Sequence, residues 1–325
     1  MKHPLENKFI AFLKLIRMEN LVMMALTELM LRYFVLKKAI SIHNISPEMS
    51  VGLYNLVILS TVLIAAAGYI INDYFDVKTD LINHPDTVVV DRVIKRRWAI
   101  ILHLVFTFTG LLLGTYTALK TGYLRLAIFP FTAAILLWFY STHFKKQLLT
   151  GNITVSLLTA SLAFVPFVFE MGVLNKMHPD LITNNMLSIL SVFKILFIFS
   201  LFVFITSLAR EIIKDMEDYK GDEATGGRTM PIVWGIRTSK FNVFFLLIIT
   251  ALLMLFVVYN TIKAQRVIFS LNNLYILFTL IVPLVMLALY VLRANSSAHF
   301  KRASLFLKFI MLMGLCYSIV YYYTA

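Results

Sequence analysis

The sequence predicts an all-α polytopic membrane protein: nine transmembrane helices around a central cavity, arranged as two four-helix halves plus a ninth span. Three observations predict it. Of 325 residues, 60% are apolar and 14% charged, whereas soluble chains are roughly 45–50% apolar. Apolar runs of about 20 residues, enough to cross a hydrocarbon core as helices, recur from end to end. The runs are also continuous, as in 53–71 and 241–262, and lack the alternation of a membrane β-barrel. A soluble enzyme and a barrel are both excluded.

Residues 1–19 read as an amphipathic helix lying in the membrane interface. Leu5, Phe9, Phe12, Leu13 and Ile16 recur at helical spacing, with Lys8, Lys14 and Arg17 between them. The stretch MKHPLENKF shows no apolar segment with a small-residue cleavage site, so no removed signal peptide is expected. Spans are expected at 20–40, 53–71, 98–119, 123–140, 153–174, 187–208, 241–262, 274–292 and 305–323. The first carries Glu28 and Arg32, whose spacing of four predicts that they pair with each other. Glu170, in the fifth, is expected at the outer rim. Cys316, the single cysteine, excludes a disulfide framework and a cysteine metal site. The whole chain, 1–325, is read as one domain.

Orientation follows from basic residues, because cytoplasmic loops keep the positive excess. One side collects 20 Lys and Arg, the other seven. The N-terminus is therefore expected in the cytoplasm and the C-terminus outside, in a bacterial-type plasma membrane. The net charge of +13 follows from this topology, and no nucleic-acid partner is expected. Nor does any feature call for an obligate protein partner.

Acids are still more unevenly placed. Eleven of the 17 fall in two cytoplasmic loops, 72–97 and 209–240, which follow the second and sixth spans. In the first, Asn72, Asp76 and Asp80 are spaced i, i+4, i+8 with Asp73 beside them; on a continued helix they share one face. In the second, Asp215, Asp218 and Asp222 are spaced i, i+3, i+7, again predicting one helical face. Like charges so spaced repel, so a cation is expected between the rows. Carboxylates and an amide without His or Cys favour Mg²⁺, which binds through a few carboxylates together with phosphate oxygens. The two rows thus predict a site for Mg²⁺ and a diphosphate, with nearby Arg and Lys for the remaining phosphate charge. The EF-hand pattern of a calcium site is missing.

Asn72 to Asp80 match the N-D-x-x-D-x-x-x-D motif of UbiA-type intramembrane prenyltransferases, and Asp215, Asp218 and Asp222 match that family's second motif, D-x-x-D-x-x-x-D. The sequence is identified on this basis as resembling that family along its whole length. Arg210 to Pro231, REIIKDMEDYKGDEATGGRTMP, looks most like the branch of geranylgeranylglycerol-phosphate geranylgeranyltransferases. The resemblance implies transfer of a prenyl group from a polyprenyl diphosphate, with geranylgeranyl diphosphate as candidate, to a lipophilic acceptor such as a prenylglycerol phosphate. An aromatic acceptor, a quinone or haem precursor, is the alternative; a transporter is the rival outside enzymes. Mg²⁺ would be held by Asn72, Asp73, Asp76, Asp80, Asp215, Asp218 and Asp222. Asp76, Asp215, Lys145 and Tyr140 are the implied catalytic residues; Asn72, Asn20, Arg17, Lys146, Lys214 and Arg228 are the implied substrate contacts. Tyr69, Tyr74 and Tyr140 are candidate neighbours of an allylic carbocation, which aromatic faces stabilise. The chain departs from the family pattern twice. Phe144 stands where the family's Lys would follow Tyr140, passing the role to Lys145 or Lys146. After the first motif, His84 and Thr87 replace two arginines, so His84, Arg92 or the Lys95-Arg96-Arg97 run would supply that charge, or the acceptor differs.

Overall fold

The computed structural model describes residues 8–324, and among them only helices and loops occur, apart from one isolated bridge between Val90 and Ile94. In chain order the helices are α1 (Lys8–Leu15), α2 (Met18–Met30), α3 (Lys37–Ser41), α4 (Val51–Asn83), α5 (Arg96–Thr121), α6 (Ile128–Thr142), α7 (Thr150–Ser161), α8 (Val165–Met177) and α9 (Pro179–Asn184). The second part comprises α10 (Met186–Glu217), α11 (Tyr219–Ala224), α12 (Met230–Val233), α13 (Gly235–Gln265), α14 (Leu271–Tyr275), α15 (Val282–Arg293) and α16 (Ser297–Thr324). Two π-helical segments, Leu31–Leu36 and Ile276–Ile281, join α2 to α3 and α14 to α15 without a break.

Seven helices are long and apolar enough to cross a membrane, and the α7–α8 pair, bent by 48°, makes up to eight. The protein is an integral, multi-pass membrane protein. The expected first span is helical from Met18 to Ser41, but Glu19, Glu28, Arg32, Lys37 and Lys38 lie along it and it is not among the seven.

Three expectations change. In α1, the buried positions are Ala11 and Leu15, whereas Phe9 and Ile10 are exposed; Phe12 and Leu13 pack on a cluster with Ile70 and Val89. The small Ala11 lets the helix dock closely on protein, which turns part of the apolar row outward; Leu5 lies outside the described residues. Arg32 does not pair with Glu28. Its Nη2 lies 3.6 Å from Glu170 Oε2 and also donates to the Met49 carbonyl, while its guanidinium sits 4.0 Å over the Tyr54 ring. Glu170, expected at a rim, is buried at 1% exposure and accepts the Glu48 and Met49 amides at 2.5 and 2.9 Å. The pair ties α8 to the loop before α4.

The third concerns the cavity, of about 860 Å³. It is lined from α2, α4 to α8, α10, α11 and α16, with no contribution from α13, α14 or α15. Of these, α13 and α15 pack Leu247, Leu284 and Leu287 against Leu307 of α16 and Ile213 of α10 in an apolar core. They back the cavity wall without forming it. One end of the cavity is polar, with both acid rows; the other is bounded by Leu31, Val57, Phe169 and Leu315.

Candidate active site

The first acid row is positioned by helix continuity. α4 runs on through Asn83, carrying Asn72, Asp73, Asp76 and Asp80. Asn72 and Asp80 line the cavity; Asp76 is buried and takes an ion pair from Lys145 Nζ. Asp73 turns to the side, 3.0 Å from Arg17 Nη2.

Lys145 sits in a single 3₁₀ turn, Phe144–Lys146, directly after α6. Gly151 of α7 makes that turn possible, because a Cβ there would lie 2.8 Å from the Phe144 carbonyl oxygen and 2.9 Å from the Lys145 Cα. Tyr140 and Lys145 both line the cavity. Lys146 and Arg228 are not among the lining residues; the Arg228 amide donates to the Lys146 carbonyl at 2.9 Å. The structure therefore separates the two lysines left open by the sequence.

The second row departs from expectation. Asp215, Asp218 and Asp222 do not share one continuous helical face: α10 ends at Glu217, Asp218 occupies the junction, and α11 carries Asp222. All three still line the cavity, because the end of α4 grips the junction. Asn83 Nδ2 donates to the Asp218 carbonyl at 3.0 Å, and the Gly221 amide donates to Asn83 Oδ1 at 2.8 Å. A Cβ on Gly221 would lie 2.4 to 2.6 Å from the Asn83 side chain, so any larger residue would push Asn83 out of these two hydrogen bonds. Thr79 and Thr225 hydroxyls meet at 3.1 Å.

Two acids of the second row have a side-chain partner. His84 Nε2 lies 2.8 Å from Asp218 Oδ1, and Asn152 Nδ2 donates to Asp215 Oδ2 at 2.7 Å. The Asp218 hydrogen bond raises the His84 pKa against the effect of its burial. Burial works against the charge on Lys145, but Asp76 and Asp80 outweigh it and hold the ammonium pKa raised. Burial pushes Asp222 up to about 6, despite the opposing charge of Lys145.

Among the described residues no three His, Cys, Asp or Glu side chains converge closely enough to hold a metal ion unaided. The donor set nonetheless fits Mg²⁺. Asn72 Oδ1 is buried with no hydrogen-bond partner, an orphan that costs free energy unless something ligates it. Asp80, Asp215, Asp218 and Asp222, which line the same cavity, and the buried Asp76 carry hard oxygen donors, which Mg²⁺ combines with phosphate oxygens. A ligand carboxylate must shed its proton. Mg²⁺ affinity is therefore expected to fall about tenfold per unit as pH drops below the Asp222 value of about 6, and binding near that pH should release protons. Calorimetric titration in buffers of different ionisation enthalpy checks this; an affinity flat between pH 5 and 7 would contradict it.

Of the remaining predicted residues, Arg17, Asn20, Lys214 and Tyr69 line the cavity. Tyr74 does not; it packs under Arg96, whose guanidinium is 4.6 Å from the ring. Arg96 is also 3.6 Å from Asp91, and Arg92 donates to the Pro85 carbonyl. Of the charges offered for the two missing arginines, only His84 reaches the cavity. Sequence reasoning missed Asn152, Asn83, Arg210 and Lys308. Lys308 had a signal, a charge inside an apolar run; Asn152 had none.

Residues 45–315 match the UbiA prenyltransferase family. Among curated relatives, digeranylgeranylglyceryl phosphate synthase of Methanothermobacter thermautotrophicus is 32% identical over 188 residues, 57% of this chain and 58% of the relative. The synthase of the same name from Methanobrevibacter smithii is 29% identical over 265 residues, covering 80% and 83%. The chain thus spans about three-fifths of the first relative's length. Among solved structures, one described as giving insight into digeranylgeranylglyceryl phosphate synthase in membranes superposes with a TM-score of 0.65 at 22% identity, covering 98% of this chain and 99% of that one. A UbiA homolog from Archaeoglobus fulgidus bound to GPP and Mg²⁺ superposes at 0.57 with 16% identity, covering 95% and 99%. These likenesses show a shared fold. With the family match running over most of its length, two aspartate rows facing one cavity and the same architecture, the chain belongs to the UbiA prenyltransferase family.

Proposed function

We propose that the protein transfers a prenyl group from a polyprenyl diphosphate, such as geranylgeranyl diphosphate, to the hydroxyl of a prenylglycerol phosphate. One observation carries the reading: both acid rows and Lys145 meet at the polar end of a cavity whose far end is apolar. That arrangement suits an amphiphile with a diphosphate head and a hydrocarbon tail. It also agrees with the curated relatives, named digeranylgeranylglyceryl phosphate synthases.

Asn72, Asp76, Asp80, Asp215, Asp218 and Asp222 would hold Mg²⁺, which neutralises charge on the leaving diphosphate. Lys145 exchanges its Asp76 partner for a diphosphate oxygen. The allylic C–O bond breaks, and diphosphate departs with the bonding pair. Tyr140 and Tyr69, on the cavity wall, face the resulting cation and help exclude water. The acceptor oxygen then forms the new ether bond, and its proton leaves with diphosphate. Incubation with labelled prenyl diphosphate, Mg²⁺ and prenylglycerol phosphate should give the diether phosphate by mass; product only with aromatic acceptors would refute the assignment.

The helix from Met18 to Ser41 is proposed as the additional crossing that completes nine spans, with two four-helix halves and both acid rows in the cytoplasm. Its charges support this, since Arg32 is neutralised inside the protein by Glu170. Cysteines placed at Lys220 and at Asp180, both exposed, should then label from opposite sides of the membrane. Labelling of both from outside would contradict nine spans.

A further inference from the structure

Lys308 lies in α16, inside the apolar run 305–323, where an ionisable residue is costly unless it serves a site. It turns inward. It lines the cavity, and its Nζ is 3.2 Å from Asn20 Oδ1 and 3.4 Å from Glu19 Oε2. Glu19 is 91% exposed, so water screens that pair and leaves the ammonium available to another anion.

Arg17 stands beside this group in a strained conformation. Its φ of 50° and ψ of 55° are left-handed, a costly state for a residue with a side chain. The kink separates α1 from α2 and sets the guanidinium 5.0 Å over Tyr69. Arg17 and Asn20 line both the main cavity and an adjoining cleft of about 530 Å³ at its polar end, which also takes in Lys14 and His84 and the acids Glu19, Asp73 and Asp80. The cleft opens beside α1, the helix with exposed Phe9 and Ile10.

The diphosphate half of the site has its own cation, Lys145, brought by the turn after α6. Arg17, Asn20 and Lys308 come from the α1–α2 junction, α2 and α16. They offer two cations and an amide beside the first acid row, with Arg17, now 3.0 Å from Asp73, exchanging that partner and Lys308 its screened Glu19 contact. An uncharged acceptor would need no cation there, and an aromatic carboxylate only one; a phosphate monoester, close to a dianion at neutral pH, matches two. We propose that Lys308, with Arg17 and Asn20, forms a second anion subsite that receives the phosphate monoester of the acceptor lipid. This rests on the prenylglycerol phosphate reading above and extends it to the residue that selects the phosphorylated acceptor.

The test compares acceptors in full-length wild type and Lys308→Met, using prenylglycerol phosphate and the same prenylglycerol without phosphate. In the variant, KM for the phosphorylated acceptor should rise roughly 10- to 150-fold, the range for one charge-assisted contact. KM for the unphosphorylated alcohol and for prenyl diphosphate should stay within about twofold, a pattern that a merely structural lysine would not produce. Lys308→Arg should restore most of the preference. On wild type, glycerol phosphate should inhibit competitively against the lipid acceptor and not against prenyl diphosphate, a measurement that stands even where a variant fails to fold. Unchanged acceptor KM, equal losses for both acceptors, or competition only against prenyl diphosphate would overturn the subsite. Wild type that uses no prenylglycerol phosphate at all would overturn the functional reading itself, a result separable from the others before any variant is made.

Discussion

Alanine at Asp76 or Asp215 should lower prenyl transfer by about 10³-fold or more, since each would remove a ligand charge from the proposed metal–diphosphate site, whose electrostatics would carry the reaction. The two substitutions act through different surroundings. Asp76 is the partner of Lys145, so its loss also frees the lysine from the acid row. Asp215 is oriented by Asn152 at 2.7 Å, so its loss leaves that amide facing the cavity. Neither residue holds helices together through an apolar contact, and both variants should elute as folded protein. Turnover at saturating Mg²⁺, with size exclusion and thermal melting as controls, measures this. Near-wild-type turnover in either variant would sink the shared site.

The next largest effect is expected at Lys145. A charge-assisted contact to phosphate contributes about 1.5–3 kcal/mol, so Lys145→Ala should weaken prenyl-diphosphate binding roughly 10- to 150-fold. Lys146→Ala and Arg228→Ala should leave Kd within about twofold. The difference is geometric: Lys145 lines the cavity and reaches Asp76, whereas neither Lys146 nor Arg228 lines it, and those two are joined through backbone at 2.9 Å. Binding measured by calorimetry with a non-reactive prenyl diphosphate analogue separates them. Three unchanged affinities would remove the basic half of the proposed site.

Much of this site was legible because its signals are short-range. Asn72, Asp76 and Asp80 follow a helical period that simple continuation of α4 preserves. The second row was harder. Asp215, Asp218 and Asp222 have helical spacing, yet the helix breaks at Asp218, and what keeps the acids together is Asn83, a residue of the other loop. The substitutes for the missing arginines were legible only as a set of options. His84, Arg92 and Arg96 carry similar charge in sequence, and the contacts of Arg92 with Pro85 and of Arg96 with Asp91 decide that His84 alone faces the cavity.

By itself the sequence determined that this is a helical membrane protein, where its apolar helices run, and which two stretches carry the acids. Those properties follow from apolar run length and residue period, which neighbouring residues set. Tertiary structure alone decided which cation meets which acid. Lys145 meets Asp76 across 69 positions, Arg17 meets Asp73 across 56, and Arg32 takes Glu170 instead of the adjacent Glu28. It also decided that α13 and α15 back the cavity without lining it and that Lys308 turns inward. Such outcomes depend on how helices pack and on which buried charge finds a partner, and a charge in an apolar interior takes the partner that packing brings within reach.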